Sequence, residues 1–159
     1  MSQADILTLA EAVAWRNDLR RAGKRLVVTN GCFDILHRGH VEYLTRSAAL
    51  GDKLLVLVNS DASVRELKGP TRPVNNEIDR AFLLTELKSV DKAVIFPASR
   101  CDQELEALSP DVYAKAGDYT LDKLDPGERA ALKKTGAEIV FLPFVSGHST
   151  TGIIEKLQK

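Results

Sequence analysis

Cysteine, net charge and long apolar runs are all scarce in this sequence of 159 residues, and each scarcity excludes a class of protein. The two cysteines, Cys32 and Cys101, lie far apart without a pattern, which excludes a disulfide framework and fits a reducing compartment. Lys and Arg number 22, as do Asp and Glu, so the basic surplus of a nucleic-acid binder is missing and no such partner is expected. The longest aliphatic run, Leu54 to Val58, is far short of a membrane span, so no membrane association is expected. Up to Arg25 the chain mixes acids, Trp15 and four arginines rather than a charged-then-apolar leader, and a cytoplasmic location is expected. Repeats, low-complexity tracts and Pro/Ser linkers are also lacking, and residues 1–159 read as one domain.

What is present has the balance of a globular protein: 44% apolar and 28% charged residues. Short β-rich runs alternate with helix-like stretches. Arg25–Thr29, Lys53–Val58, Ala93–Phe96, Asp111–Ala114 and Glu138–Leu142 predict five strands. Their apolar runs are nearly continuous, as in strands covered on both faces, and β-α alternation predicts a doubly wound parallel sheet of the α/β class. Thr8 and Glu11 form a capping-box signal and Gly23 a stop, so residues 1–23 predict a helical extension packed on the domain. Breakers gather in two loops, Lys68–Pro73 and Gly117–Gly127.

Open parallel sheets bind ligands beyond the carboxyl ends of their strands. The first such edge reads Thr29-Asn30-Gly31-Cys32-Phe33-Asp34-Ile35-Leu36-His37-Arg38-Gly39-His40. Gly31 and Gly39 allow close backbone approach, and a helix starting here aims free N–H groups and a positive dipole end at a ligand, which suits phosphate. His37 and His40 share a helical face with Val41, Leu44 and Ala48, a stripe expected to face the sheet. Imidazoles there can donate to phosphate oxygens, and protonation near neutrality adds charge. Two satisfied structural histidines, or half of a zinc site, explain the same spacing. A zinc site needs further ligands, and only Cys32, His148 and ordinary carboxylates are on offer, without ligand spacing.

Other positions carry paired readings. Ser149 is an N-cap candidate for a last helix with Ile153, Ile154 and Leu157 on one face; with Thr150 and Thr151 it also forms a phosphate cradle. In the helix predicted over Asn76–Lys88, the apolar stripe is Ile78, Ala81, Phe82 and Thr85. Arg80 falls on the opposite side near Leu83, Leu84 and Leu87, where it snorkels, pairs with Glu77, or reaches a buried anion. Lys68 and Arg72 are surface charges or part of a loop that closes over polyphosphate. Asp118 follows the fourth strand and stabilises a turn or faces a ligand, whereas His148 reads as a surface residue.

Gly31-Cys32-Phe33-Asp34 followed by His37-Arg38-Gly39-His40 resembles the HxGH signature of the cytidylyltransferase-like nucleotidyltransferases. Asn59–Val64, Leu67-Lys68-Gly69, Arg72–Asn75, Val90-Asp91, Gly117-Asp118-Tyr119 and Ser149-Thr150-Thr151 follow in family order. The whole resembles most the branch that makes ADP-heptose from a heptose 1-phosphate in lipopolysaccharide-core synthesis. One departure is Ala116, where the family commonly has glycine. The resemblance implies a Rossmann-like fold and adenylyl transfer from ATP, with Mg²⁺ arriving on the nucleotide and no protein side chain as metal ligand. It implies His37, His40, Lys68 and Arg80 as catalytic residues. Thr29, Asn30, Gly31, Phe33, Gly39, Gly117, Asp118, Ser149, Thr150 and Thr151 would bind nucleotide, and Asp34, Asp61 and Lys115 would face the acceptor. It also implies a homodimer and a separate sugar kinase supplying the sugar phosphate. Cytidylyl transfer to glycerol 3-phosphate is the alternative within the class. A regulatory nucleotide-binding module and a redox or metal protein built on Cys32 are the alternatives outside it.

Overall fold

The computed structural model describes residues 3–117 and 120–159. Its strands are β1 (Ile6–Leu7), β2 (Leu26–Gly31), β3 (Lys53–Asn59), β4 (Lys92–Phe96), β5 (Val112–Ala116) and β6 (Glu138–Leu142). Its α-helices are α1 (Leu9–Arg21), α2 (Arg38–Ala48), α3 (Asp61–Lys68), α4 (Glu77–Thr85), α5 (Asp102–Leu108), α6 (Pro126–Thr135) and α7 (Thr150–Leu157). The strands form one sheet in the order β1-β4-β3-β2-β5-β6, and every neighbouring pair is parallel. The α/β class and the parallel sheet are as expected, but the sheet has six strands rather than five. The extra one, β1, lies inside the segment read as purely helical and pairs Ile6 with Ala93 and Leu7 with Val94. Two residues are too few for any periodicity to register.

Both faces of the sheet are covered. On β3, Leu55 and Leu57 enter one core while Leu54, Val56 and Val58 enter the other. β2 divides likewise, Leu26 and Val28 against Val27. This two-sided burial is why the strands read as unbroken apolar runs. Helices α1, α5 and α6 close the first core through Ala12, Leu19, Leu105, Leu108 and Leu132. Helices α2 and α4 close the second through Tyr43, Leu44, Ala81 and Leu84. The capping box on α1 forms: Glu11 N donates to Thr8 Oγ1 at 3.2 Å, and Thr8 N to Glu11 Oε2 at 2.8 Å.

Three helices are turned differently from the apolar stripes in the sequence. On α2 the buried residues are Gly39, Tyr43, Leu44 and Ser47, while Val41 is 40% exposed. Tyr43 takes the inward place because its hydroxyl meets Thr29 Oγ1 at 2.7 Å inside the core. On α4, Arg80, Ala81 and Leu84 face inward, and Ile78 and Phe82 are exposed. A buried guanidinium with partners outweighs the stripe. On α7, Leu157 is exposed.

From β2 the chain steps to β3 and β4 on one side, then returns to β5 and β6 on the other. The carboxyl ends of β2 and β5 therefore flank the point where winding reverses, the place where such sheets open a crevice. Leu57→Ala, in the middle of β3 with no exposed surface, is expected to cost about 2–5 kcal/mol. Leu157→Ala should change stability by less than about 0.5 kcal/mol; urea denaturation of both variants measures the contrast.

Candidate active site

A cavity of about 1040 Å³ opens at that reversal point. Its wall includes Asn30 and Gly31 from β2, Asn59 from β3, Lys115 and Ala116 from β5, and the loop running into α2. Lys68 at the end of α3, Glu128 of α6 and the start of α7 complete it. A volume of this size lies at the upper end of the usual range for small-ligand pockets.

The central feature is a column of imidazoles. His37 and His40 stack with ring centroids 3.8 Å apart and planes at 23°. His148, from the loop before α7, continues the column at 6.3 Å and 21° from His37. Phe33 tilts against His40 at 5.3 Å, its own backbone in the left-handed region at φ 49°. Two glycines make the column possible. A Cβ on Gly39 would lie 2.9 Å from His37 Cε1 and 3.0 Å from His148 Cβ. A Cβ on Gly31 would lie 2.8 Å from the Phe33 ring, so the space over Gly31 belongs to Phe33. The nearly parallel rings do not converge on one point, and no group of three His, Cys, Asp or Glu among the described residues is placed to hold a metal ion.

Proton positions follow from the same contacts. His37 N donates to His40 Nδ1 at 3.3 Å, which assigns the neutral ring's proton to Nε2. Burial, and then the neighbouring His37, pushes His40 down to about 4 from its ordinary 6.5. Burial and His148 lower His37. The Nδ1 of His37 is buried and has no partner among the described residues. The expected protonation near neutrality therefore does not hold for His40 in the ligand-free protein; it offers an N–H donor instead of a charge.

Two arginines of the site are internally neutralised. Arg80 has a fully buried side chain whose Nη2 donates to Asp61 Oδ1 at 2.8 Å, Nη1 to Cys32 O at 2.6 Å and Nε to Asn75 O at 2.9 Å. It stands behind the cavity wall, not in it. Asp34 accepts from Arg72 Nε at 2.7 Å and from the backbone N–H groups of Val74 and Asn75 at 2.9 Å. Burial works against ionising Asp34, but those N–H groups and Arg72 outweigh it and hold its pKa below the usual value. Arg80 thus positions the turn and does not reach into the cavity. Asp34 lines the cavity but is bonded to Arg72, whereas Asp61, bonded to Arg80, does not line it.

The remaining expected residues divide. Asn30 lines the cavity, its Oδ1 held by the Tyr113 hydroxyl at 2.6 Å so that its amide donors are presented. Lys68, Lys115, Ser149, Thr150 and Thr151 also line it. Ser149 caps α7 by accepting from Gly152 N at 3.0 Å, and Thr150 Oγ1 donates to Ile35 O at 3.2 Å. Thr29 is wholly buried against Tyr43, and Gly117 N donates to Leu142 O; neither is among the described residues that line the cavity. Asp118 lies outside the described residues. Tyr43 and Glu128, to which the sequence assigns no role, line the cavity as well, and His148, expected at the surface, is exposed on its wall. Glu128 is 4% exposed, with Lys115 Nζ at 3.7 Å and the Cys101 thiol at 3.6 Å. A second, smaller cavity at the opposite strand ends is lined by Arg16, Arg20 and Arg25. There Arg16 and Arg20 bond the Ser109 carbonyl, Arg16 pairs with Asp111 and Arg25 with Glu138, which leaves no set of uncompensated cations.

The sequence model described as Cytidylyltransferase-like matches residues 28–156, most of the chain and the whole of this site. The chain belongs to the cytidylyltransferase-like family. By family it is a nucleotidyltransferase, the class of enzyme expected from the sequence. Bifunctional protein HldE of Methylococcus capsulatus is 51% identical over 152 residues, covering 96% of this chain and 32% of that protein. HldE of Azotobacter vinelandii is 41% identical over 158 residues, covering 99% and 33%. The chain thus spans about one third of these curated relatives. Among solved structures, a lipopolysaccharide core biosynthesis protein from Thermoplasma volcanium superposes with a TM-score of 0.63 at 32% identity, covering 77% of this chain and 98% of that one. No α-helix among the described residues is long and apolar enough to cross a membrane.

The cytidylyltransferase-like column predicts a titration. In the ligand-free protein His40 should titrate near pH 4, well below an exposed histidine. A bound polyanion favours the imidazolium, so inorganic tripolyphosphate should move that midpoint upward. Ring chemical shifts followed by NMR from pH 3.5 to 8 check both; a His40 midpoint near 6.5 without ligand contradicts the assignment.

Proposed function

We propose that the chain transfers an adenylyl group from ATP to a heptose 1-phosphate, giving ADP-heptose and pyrophosphate. The observation that carries this reading is the imidazole column at the mouth of α2, facing the cavity. The resemblance to HldE proteins and to a lipopolysaccharide core biosynthesis protein supports the heptose branch.

One oxygen of the sugar phosphate attacks the α-phosphorus in line, the bond from that phosphorus to the bridging oxygen breaks, and pyrophosphate leaves with the electron pair. The attacking phosphate is already ionised, so no general base is required. The residues position the two substrates and stabilise charge at the α-phosphorus. His40 Nε2–H and the His37 ring donate to oxygens of the transferring phosphate. Lys68, at the rim, meets the departing pyrophosphate, and the first turn of α7 with Ser149, Thr150 and Thr151 receives the triphosphate tail. Asn30 presents its amide to the nucleotide, and Lys115 faces the acceptor. Arg80 acts at one remove, fixing the Cys32 carbonyl and hence the turn that carries the histidines.

The donor set fits a metal carried by the phosphates rather than caged by the chain, since Asp34 and Asp61 are bonded to arginines. Mg²⁺ bound with ATP supplies neutralisation of phosphate oxygens and in-line alignment. One observation favours a second reading: the Ala116 methyl sits in the cavity wall and narrows it, which suits a smaller base, and so cytidylyl transfer.

Pyrophosphate release from ATP or CTP, each with heptose 1-phosphate or glycerol 3-phosphate, separates the two. The ATP–heptose pair should be fastest, and release from none of the four pairs refutes the assignment. Loss of one group that stabilises the transition state costs roughly 10²–10³ in rate. His40→Ala should lose kcat on that scale with its melting temperature nearly unchanged.

A further inference from the structure

We infer that His148 is a third phosphate-contacting imidazole, donating to the nucleotide's polyphosphate from the α7 side of the cavity. The inference rests on the nucleotidyl-transfer reading above and adds a residue to it that neither composition nor spacing singled out.

A triphosphate with its metal needs several donors at one end of the cavity. Two of the cations that the sequence offers there are compensated: Arg80 by Asp61 and Arg72 by Asp34. Lys68 has no ion-pair partner among the described residues, but one flexible lysine does not orient a chain of phosphates. Lys115 and Lys123 also line the cavity, and the Ser149, Thr150 and Thr151 hydroxyls stand at the first turn of α7; the further donors there are imidazole and backbone N–H groups. His37 and His40 account for two rings, and His148 stands in line with them.

The seating of His148 is specific rather than incidental. Gly147, at φ 80°, turns the chain just before it. Ser149 caps α7 just after it, and Thr150 Oγ1 bonds Ile35 O in the loop that leads to His37. A Cβ on Gly39 would press on both His37 and His148, so glycine there lets the two side chains sit over the same stretch of backbone. The residue as a whole is exposed, lines the cavity, and makes no hydrogen bond to another described residue that would occupy its ring nitrogens. His148 thus joins the two anion-binding features, the column on α2 and the first turn of α7, into one wall.

The competing explanation is a spacer: a flat ring that packs on Gly39 and does nothing else. Two variants separate these roles. His148→Phe keeps the flat ring and removes the N–H, whereas His148→Gln keeps a donor and removes the ring. A hydrogen bond to a charged group contributes about 1.5–3 kcal/mol, roughly 10- to 100-fold in affinity. His148→Phe should therefore raise KM for the nucleotide at least about tenfold, leaving KM for the sugar phosphate unchanged, and His148→Gln should stay within about threefold of the parent. Calorimetric binding of inorganic tripolyphosphate to the full chain should show the same order without requiring turnover. Any result in which His148→Phe binds as tightly as His148→Gln, or more tightly, overturns the inference. If the parent releases no pyrophosphate yet tripolyphosphate binding follows the predicted order, the transfer reading falls and the role of His148 stands. If the parent turns over and the order is absent, the reverse holds.

Discussion

The site depends on one buried guanidinium. Arg80 enters a core that should reject it and is retained because three acceptors meet it: a carboxylate on α3, a carbonyl in the turn after β2 and a carbonyl before α4. A buried charge of this kind costs far more unpaired than paired, so the three segments can separate only together. The turn carrying Phe33, His37 and Gly39 is thereby registered against the rest of the cavity wall. Asp34 repeats the device one layer outward, gathering Arg72 and two backbone N–H groups of the neighbouring loop.

That frame explains why the histidines are arranged as donors. Close stacking and burial disfavour charge on His40, and its Nδ1 is already an acceptor, so the proton sits on the nitrogen turned away from the backbone. Such a ring can bond an incoming phosphate oxygen without first losing a proton. A preorganised neutral donor also avoids the repulsion that two adjacent imidazolium rings would suffer before any anion arrives. Glycine at position 39 is part of the same solution, because a side chain there would collide with His37 and His148.

Much of this was legible in the chain. Continuous apolar strands announced a sheet covered on both faces, and the pairing of His37 with His40 around Gly39 marked the end of β2 as the place for chemistry. Illegible features were those whose partners are distant. Arg80 looked misplaced among leucines, since its acceptors at Cys32 and Asp61 lie on other elements. The family resemblance implies Thr29 and Gly117 as nucleotide-binding residues, but one is sealed beneath Tyr43 and the other is bonded to Leu142. His148 is exposed, as expected of a surface residue, but nothing local tells that its loop returns to Gly39.

The two-residue strand β1 carries a consequence for the edge of the sheet. Without it, β4 would present a bare ladder of amide and carbonyl groups to other chains, the usual template for edge-to-edge association. By pairing with Ala93 and Val94, Ile6 and Leu7 leave an outermost strand too short to recruit another. The segment before α1 acts as a selvage along this border of the sheet.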